Sequence, residues 1–174
     1  ETSLKGNGFL ADVVAAWEEA AAPAQAAGIR TVLLRSGVVL TAKGGALKKQ
    51  LLPFKLGLGG RLGDGKQWLS WISLVDEVAA IIHLLSAGTA SGPVNVTSPQ
   101  PVTNKEFTAT LARVLHRPAL VPVPTPALHA LFGKEMTKEM LLGGQKVLPA
   151  RLQESGFTFA HPGLEEALRH TLQG

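Results

Sequence analysis

The sequence contains no cysteine and no tyrosine, and it has no uninterrupted apolar run of about 18 residues. Without cysteine the chain forms no disulfide and no thiolate metal site. Without tyrosine it lacks the phenol that often carries a proton in catalysis. No membrane-spanning helix is expected from a sequence without a long apolar run. The first residues lack the basic-then-apolar order of a secretory signal, so we expect a cytoplasmic location.

Charge is sparse and of mixed sign. Charged residues make up 17% of the 174 residues and apolar residues 45%, which is typical of a folded domain with a sizeable core. The net charge of +4 comes from scattered lysines and arginines, without a basic stripe interleaved with aromatic residues. This distribution argues against a nucleic-acid partner and suits a phosphate-bearing small ligand.

Several common catalytic and nucleotide-binding motifs are absent. No G-x-G-x-x-G turn stands between a predicted strand and a helix, and no G-x-S-x-G elbow occurs. Gly60, Gly65 and Lys66 have phosphate-loop spacing, but Gln67 stands where a serine or threonine would hold magnesium. The five histidines show no metal-ligand spacing. We therefore expect neither a nucleoside triphosphatase, nor a serine hydrolase, nor a metal site.

Apolar periodicity predicts helices alternating with buried strands. A helix is expected over 9–27, which Pro23 either kinks or ends. A continuous apolar run over 29–35 is typical of a strand covered on both faces in a parallel sheet. Only one other good parallel strand is visible, over 94–96. Because two strands do not make a stable sheet, we interpret the chain as the second half of a larger α/β fold.

Helix caps and prolines predict the remaining elements. Ser73 with Asp76, and Thr103 with Glu106, have the spacing of helix-capping pairs. Helices are also expected over 46–54 and in most of the tail, where Thr125 would be an N-cap and further helices would cover 136–142, 149–154 and 162–172. Short strands are expected over 68–73 and 119–123, the second at a sheet edge because it contains a proline.

The stretch 51–78 contains the strongest candidate binding segment. Five glycines fall within the nine residues 57–65, which indicates tight turns or a close approach of the backbone to another group. Lys66, Gln67, Trp68 and Trp71 follow, and aromatic and amide side chains beside such a loop suit the wall of a pocket. The alternative is a surface turn followed by two core tryptophans.

The other ionisable side chains have mainly structural interpretations. Arg35 ends the first buried strand, at the carboxyl edge where open α/β sheets place ligands, so it either contacts a ligand or forms a structural salt bridge. Glu18 is expected to be solvated, Asp76 and Glu77 to lie in the first turn of a helix, and His83 to be packed on its helix.

Five segments together resemble one known family. They are FLADVVAAWEEAA (9–21), TVLLRSGVVL (31–40), LLPFKLGLGGRLGDGKQWLSWISLVDEV (51–78), GPVNVTSPQPVTNKEF (92–107) and LLGGQKVLPARLQESGFTFAHPGLEEAL (141–168). They resemble the atypical extended short-chain dehydrogenase/reductases described as nucleoside-diphosphate-sugar epimerase-like. The tail from about residue 121 resembles the carboxyl-terminal domain of unknown function, DUF1731, that marks this family.

The resemblance implies a Rossmann-type α/β fold. Residues 1–120 would form the carboxyl-terminal half of a dinucleotide-binding domain, and 121–174 a small, mostly helical domain. NADP(H) would bind mainly through a glycine-rich turn in an amino-terminal half that these residues do not include. The expected partners are that half and a small-molecule substrate, with no nucleic acid and no membrane; self-association of some relatives leaves a homo-oligomer open.

The resemblance also implies site residues. Arg35, Ser36, Gly37 and Val38 would contact the cofactor near its nicotinamide end. The substrate pocket would be lined by Lys66, Gln67, Trp68 and Trp71.

The catalytic tyrosine and lysine of related reductases would fall at Leu10 and Val14, so no catalytic residue is assigned. Three functions therefore stay open. The chain belongs to an NAD(P)-dependent epimerase, dehydratase or reductase, or to a catalytically silent NADP(H)-binding sensor or partner module, or it is an assembly unit without a ligand.

Overall fold

The computed structural model describes residues 1–4, 6–86, 88, 90–134 and 137–173. The helices are α1 Phe9–Glu19, α2 Ala22–Ala26, α3 Gly45–Lys55, α4 Leu74–Ser86, α5 Asn104–Leu115, α6 Thr125–Phe132, α7 Ala150–Glu154 and α8 Leu164–Gln173, with a π-helical segment Thr137–Leu142 before α7. The strands are β1 Val32–Ser36, β2 Val38–Leu40, β3 Trp68–Leu69, β4 Trp71–Ser73, β5 Gly92–Val96 and β6 Val102–Thr103.

The strands pair mainly in parallel. β1 pairs with β5, and these are the two parallel strands that the sequence predicted. In the register of the pair, Leu34 lies opposite Val94 and Ser36 opposite Val96. β2 pairs in parallel with β4, and β3 pairs antiparallel with β6. Within the described residues no sheet has more than two strands. A parallel pair of this size is not stable alone, which agrees with the interpretation of the chain as one part of a larger Rossmann-type α/β fold.

The core lies on both sides of the strand layer. Trp71 and Ile72 are consecutive residues of β4 and both are 0% exposed, because neighbouring strand side chains point to opposite faces. One cluster contains Leu40, Leu47, Leu51, Phe54, Trp71, Phe107, Leu111, Ala112, Leu164, Ala167 and Leu168. The other contains Ile72, Ala80, Leu84, Val94, Val96 and Leu152. Burial on both faces is the arrangement expected of a parallel sheet.

Both predicted capping pairs are present. The backbone N–H of Asp76 donates to Ser73 Oγ at 3.0 Å at the start of α4. The backbone N–H of Glu106 donates to Thr103 Oγ1 at 3.3 Å, and the N–H of Thr103 donates to Glu106 Oε2 at 2.7 Å. These bonds set where α4 and α5 begin.

Prolines explain most differences from the predicted elements. The segment 9–27 forms two helices, and the effect expected of Pro23 is present, because its ring would clash with the carbonyl of Glu19, the last residue of α1. The strand expected over 119–123 is absent and only a bridge between Leu62 and Val123 remains, since prolines on both sides supply no N–H to a ladder.

Smaller differences concern element ends. The strand expected over 68–73 divides at Ser70 into β3 and β4. Thr125 is the first residue of α6, whose N-cap is Pro124. The predicted helix start at Met136 lies outside the described residues.

Two helices expose apolar faces to solvent in this chain. The large apolar side chains at least 41% exposed on α1 are Phe9, Leu10, Val14 and Trp17, and those on α4 are Leu74, Val75, Val78, Ile82 and Leu85. α1 has no buried residue at all. Apolar rows at helical spacing normally pack against another element, so these faces lack their partner within the described residues. None of the described helices combines the length and apolarity needed to cross a bilayer.

The glycine-rich segment owes its composition to turns and to contacts within the chain. Positive φ angles occur at Gly57 (74°), Gly63 (58°) and Gly65 (72°), where a side chain would be strained. Gly60 has a different reason, because a Cβ there would overlap the backbone carbonyl of Val121. The sequence predicted a close approach of this backbone to another group, and at Gly60 that group is the backbone of Val121.

Replacing Gly60 by alanine should destabilise the protein by about 3 kcal/mol, because a backbone carbonyl cannot move aside as a flexible side chain can. Gly88→Ala is the matched control. Gly88 is exposed and an added Cβ has nothing within 4 Å, so its effect should stay within about 0.5 kcal/mol. Urea unfolding of both variants measures the difference, and equal stabilities would show that the 57–65 segment is not held against residue 121.

Candidate functional site

The carboxyl ends of β1 and β5 meet at one edge of the strand layer. Ser36 is the last residue of β1, and Thr97 directly follows β5. The N–H of Gly37 donates to the carbonyl of Val96 at 3.0 Å, so the two strand ends stay joined beyond the ladder. This is the edge at which open α/β sheets place ligands.

A cavity of about 900 Å³ opens at this edge. It is lined by the strand ends, by α3, by β3 and by the segment that follows the π-helical turn. Six of the residues predicted from the sequence lie on its wall: Arg35, Ser36, Gly37, Val38, Gln67 and Trp68. The structure thus brings all four predicted cofactor-side residues and two of the four predicted substrate-side residues to one cavity, which is large enough for a drug-sized molecule. Their contact with a ligand remains a prediction.

Two predicted residues are placed differently. Trp71 is 0% exposed, its indole Nε1 donates to the carbonyl of Gln100 at 2.9 Å, and it does not line the cavity. Its neighbours are core residues, so the core alternative holds for Trp71 and a wall role has no geometric support. Lys66 is exposed, lies 3.9 Å from Asp64 Oδ2, and borders a second cavity of about 650 Å³ that shares Gln67 and Trp68 with the first.

The sequence analysis did not select the tail residues 143–148, yet they form one wall of the cavity. Ser70 holds this wall in place, since its Oγ donates to the carbonyl of Gln145 at 2.8 Å and accepts the N–H of Val147 at 2.9 Å. Lys146 Nζ lies 4.6 Å from the centre of the Trp68 ring, a cation–π contact. The motif GGQK had indicated the family, and its position in space required the tertiary structure.

Amide side chains hold neighbouring backbone segments of the cavity wall together. Gln67 Nε2 donates to the carbonyls of Leu62 at 3.2 Å and Leu141 at 3.1 Å, and Asn104 Oδ1 accepts the N–H of Leu62 at 2.8 Å. The amide donors of Gln67 are therefore engaged within the protein, and its oxygen is the part left for a ligand.

Arg35 is both a cavity residue and half of a salt bridge. Its Nε and Nη2 donate to the two carboxylate oxygens of Glu18 at 2.6 and 2.8 Å. The hydrogen bond from Arg35 holds the pKa of Glu18 below its ordinary value, although burial opposes the shift. The prediction that Glu18 is simply solvated is therefore wrong, because the residue is paired with Arg35. Of the two alternatives for Arg35, the structural salt bridge is present.

Ser36 is hydrogen-bonded to a buried carboxyl group, that of Glu77. Ser36 Oγ donates to Glu77 Oε1 at 2.6 Å, and Glu77 is 8% exposed in the first turn of α4. Burial raises the pKa of Glu77 above its ordinary value, with the hydrogen bond from Ser36 acting in the opposite direction. The cavity wall therefore contains a hydroxyl coupled to a group that can change its protonation.

Among the described residues, three buried side-chain polar atoms have no hydrogen-bond partner: Glu77 Oε2, Thr97 Oγ1 and His161 Nδ1. Thr97 also lines the cavity. The sequence analysis did not select Thr97, which directly follows the predicted strand 94–96. No cluster of three metal-ligating side chains occurs in the described part of the chain.

Sequence comparison identifies related proteins. The family model described as a domain of unknown function, DUF1731, matches residues 123–171. The epimerase family protein Mb2239 of Mycobacterium bovis is 47% identical over 168 residues, which are 97% of this chain and 56% of that protein. The chain therefore spans about half the length of the curated relatives it matches.

Structural comparison gives the same relationship. The human epimerase family protein SDR39U1, solved with NADPH, superposes with a TM-score of 0.93 at 38% identity, covering 99% of this chain and 58% of that one. The nucleoside-diphosphate sugar epimerase from Corynebacterium glutamicum superposes with a TM-score of 0.76 at 33% identity, covering 98% of this chain and 32% of that one.

Glu77→Gln should change how stability depends on pH. Because the pKa of Glu77 is raised on folding, the folded protein binds more protons than the unfolded chain between the two pKa values. The contribution of Glu77 to folding stability is fully present below the pKa that Glu77 has in the unfolded chain. It is lost as pH rises through the higher pKa that Glu77 has in the folded protein. The melting temperature of Glu77→Gln relative to the wild type should therefore rise as pH increases above about 4.5.

Thermal unfolding of the intact protein across this pH range measures that difference. Glu19→Gln, which changes an exposed carboxylate of α1, is the control and should give no such trend. A Glu77→Gln difference that stays constant with pH would contradict the assignment.

Proposed function

Because the chain belongs to the nucleoside-diphosphate-sugar epimerase-like family of atypical short-chain dehydrogenase/reductases, as its motifs predicted, we propose that it is the carboxyl-terminal part of an NADP(H)-dependent epimerase or dehydratase-like protein. Residues 1–120 complete the dinucleotide-binding domain, and 121–174 form the small domain that covers the site. The substrate is a nucleotide sugar or a similar small molecule. The supporting observation is the cavity at the carboxyl edge, where both predicted residue groups meet.

The strand-end side of the cavity fits the nicotinamide end of the cofactor. Arg35 is engaged by Glu18, so this end offers hydroxyl and backbone groups and not a phosphate-binding cluster. A Cβ on Gly37 would lie 2.8 Å from the carbonyl of Ser70, so Gly37 can meet a ligand only through its backbone. When bound, a nicotinamide accepts or returns a hydride; Ser36 and Val38 orient the bound molecule and exclude water from it.

The tail side of the cavity fits the substrate. Lys146 has no salt-bridge partner among the described residues, and its ammonium group rests on Trp68. An anionic group such as a diphosphate can replace that contact with a stronger charge pair. Gln67 supplies a carbonyl oxygen to a sugar hydroxyl on the same wall.

The exposed faces of α1 and α4 receive the amino-terminal half of the same protein. The relatives are much longer than the part of them that this chain matches. Their additional half supplies the strands that the sheet lacks here. Packing that half on the apolar rows would remove several large side chains from water and complete a stable sheet.

A catalytically silent NADP(H)-binding protein is the second candidate. The observation in its favour is the absence of the usual proton-transfer pair, because the chain has no tyrosine and the corresponding positions are Leu10 and Val14. A sensor or partner module requires the cofactor site but no group that carries a proton.

The intact protein should bind NADPH. A ligand at about 100 times its Kd stabilises the folded state by about 2.7 kcal/mol, which a thermal shift assay resolves.

Gly37→Val should weaken binding at least tenfold because its side chain pushes β1 away from Ser70. Absence of any NADPH or NADH effect on the melting temperature would contradict the proposal. Absorbance change of the nicotinamide with UDP-glucose or another nucleotide sugar favours the enzyme, and binding without turnover favours the sensor.

Lys146→Gln should weaken the binding of UDP-glucose about tenfold and reduce its dependence on salt, because the variant removes one charge from the cavity. Trp68→Ala should weaken it through lost packing, and Gln67→Ala through a lost hydrogen bond. The control is Lys48→Gln, an exposed lysine of α3 outside the cavity lining. Calorimetric titration measures all four, and equal affinities would show that the substrate does not use this wall.

A further inference from the structure

Thr97 is a buried cavity residue with an unused hydroxyl. It is 1% exposed, lies at the carboxyl end of β5 and lines the cavity of about 900 Å³. Its Oγ1 has no hydrogen-bond partner within the described residues. Most buried hydroxyl groups in proteins are paired, so an unpaired one beside a cavity requires an explanation.

The conformation of Thr97 is fixed by its surroundings. On one side the N–H of Gly37 donates to the carbonyl of Val96, and on the other the N–H of Ser98 donates to the carbonyl of Trp71 at 2.6 Å. The Thr97 methyl packs towards Gly37, where an added Cβ would come within 2.9 Å of Thr97 Cγ2. Because Gly37 has no side chain, there is room for the Thr97 methyl group beside it. The Thr97 hydroxyl has no hydrogen-bond partner among the described residues.

The adjacent residue shows the usual arrangement. Ser98 is also 1% exposed, but its Oγ donates to the carbonyl of Pro162 at 2.8 Å and accepts the N–H of Gln100 at 3.2 Å. Ser98 does not line the cavity. Of these two neighbouring buried hydroxyls, the one outside the cavity lining has hydrogen-bond partners and the one in the lining has none within the described part of the chain.

The charges around this end indicate the chemistry of the missing partner. Arg35 is held by Glu18, and Lys146 lies over Trp68 on the tail side. The third charged residue of the cavity lining is Glu1, whose carboxylate accepts the N–H of Asn95 at 3.0 Å. The strand ends therefore offer hydroxyl and backbone groups and, among the described residues, no unpaired cation, which favours an uncharged ligand group over a phosphate.

We infer that Thr97 is a ligand-contact residue whose hydroxyl pairs with an uncharged hydrogen-bonding group of the molecule bound in the cavity. The inference rests on the proposed function, and that group is either the carboxamide of a nicotinamide or a hydroxyl of a sugar. Thr97 then contributes to specificity, since a ligand without a group at this position leaves the hydroxyl unpaired.

Thr97→Val tests the inference because valine keeps the shape and removes the hydroxyl. In the intact protein without ligand, Thr97→Val should melt at the same temperature as the wild type or about 2 °C higher, since it removes an unpaired buried polar atom. Its Kd should rise about three- to tenfold for NADPH or for UDP-glucose, the loss expected for one neutral hydrogen bond. The probe whose affinity falls in Thr97→Val is the one that supplies the hydrogen-bonding group.

Two further variants serve as controls. Thr97→Ser keeps the hydroxyl and should retain wild-type affinity within about twofold even if it lowers stability. Ser98→Ala removes a satisfied hydroxyl and should lower the melting temperature while leaving both affinities unchanged.

Two results would overturn the inference. A lower melting temperature for ligand-free Thr97→Val would show that the protein or a fixed water already satisfies the hydroxyl. Unchanged affinity for both probes would show that neither ligand uses it. If the wild type binds neither probe, the proposed function fails, and the melting comparison alone still decides whether the hydroxyl is paired within the protein.

Discussion

The parallel register of β1 with β5 is the constraint on which the site depends. With Ser36 opposite Val96, the residues that follow each strand emerge together, and the bond from Gly37 to Val96 keeps them together. A shift by one residue would turn the alternating side chains to the other face and move Ser36 away from Glu77. The buried apolar residues on both faces of the layer resist such a shift, so core packing and site geometry have the same cause.

The cavity is completed by a segment distant in sequence. Ser70 binds both Gln145 and Val147, and a Cβ on Gly144 would overlap the backbone of Trp68, so the tail crosses β3 in direct contact. Each hydrogen bond contributes only about 1 kcal/mol. The close backbone contact matters more, because it leaves the tail one path across the strand and thereby places Lys146 over Trp68.

Sequence reasoning succeeded where one local rule was enough. Continuous apolarity identified β1 and its partner β5, and spacing identified the caps at Ser73 and Thr103. It failed where the answer depended on tertiary contacts. Trp68 and Trp71 are alike in sequence, yet the break at Ser70 leaves Trp68 beside the cavity and sends Trp71 into the core. The proximity of residues 143–148 to β3 leaves no periodic pattern, so only the family motif marked them.

The polar groups at the carboxyl edge lower the stability of the fold that carries them. Glu77 is buried with one unpaired oxygen, and Thr97 is buried with an unpaired hydroxyl, although either position could hold an apolar residue of similar shape. Two such groups within one small edge are difficult to explain as packing, because an apolar core would be more stable. The proposed function accounts for Thr97, since a binding site gains affinity from polar groups that are unpaired before the ligand arrives and paired afterwards. Glu77 does not line the cavity and is linked to it through the hydrogen bond from Ser36. The same reasoning separates these residues from Asp76, whose buried carboxylate accepts bonds from Ser73, Ala160 and His161 and therefore serves the fold.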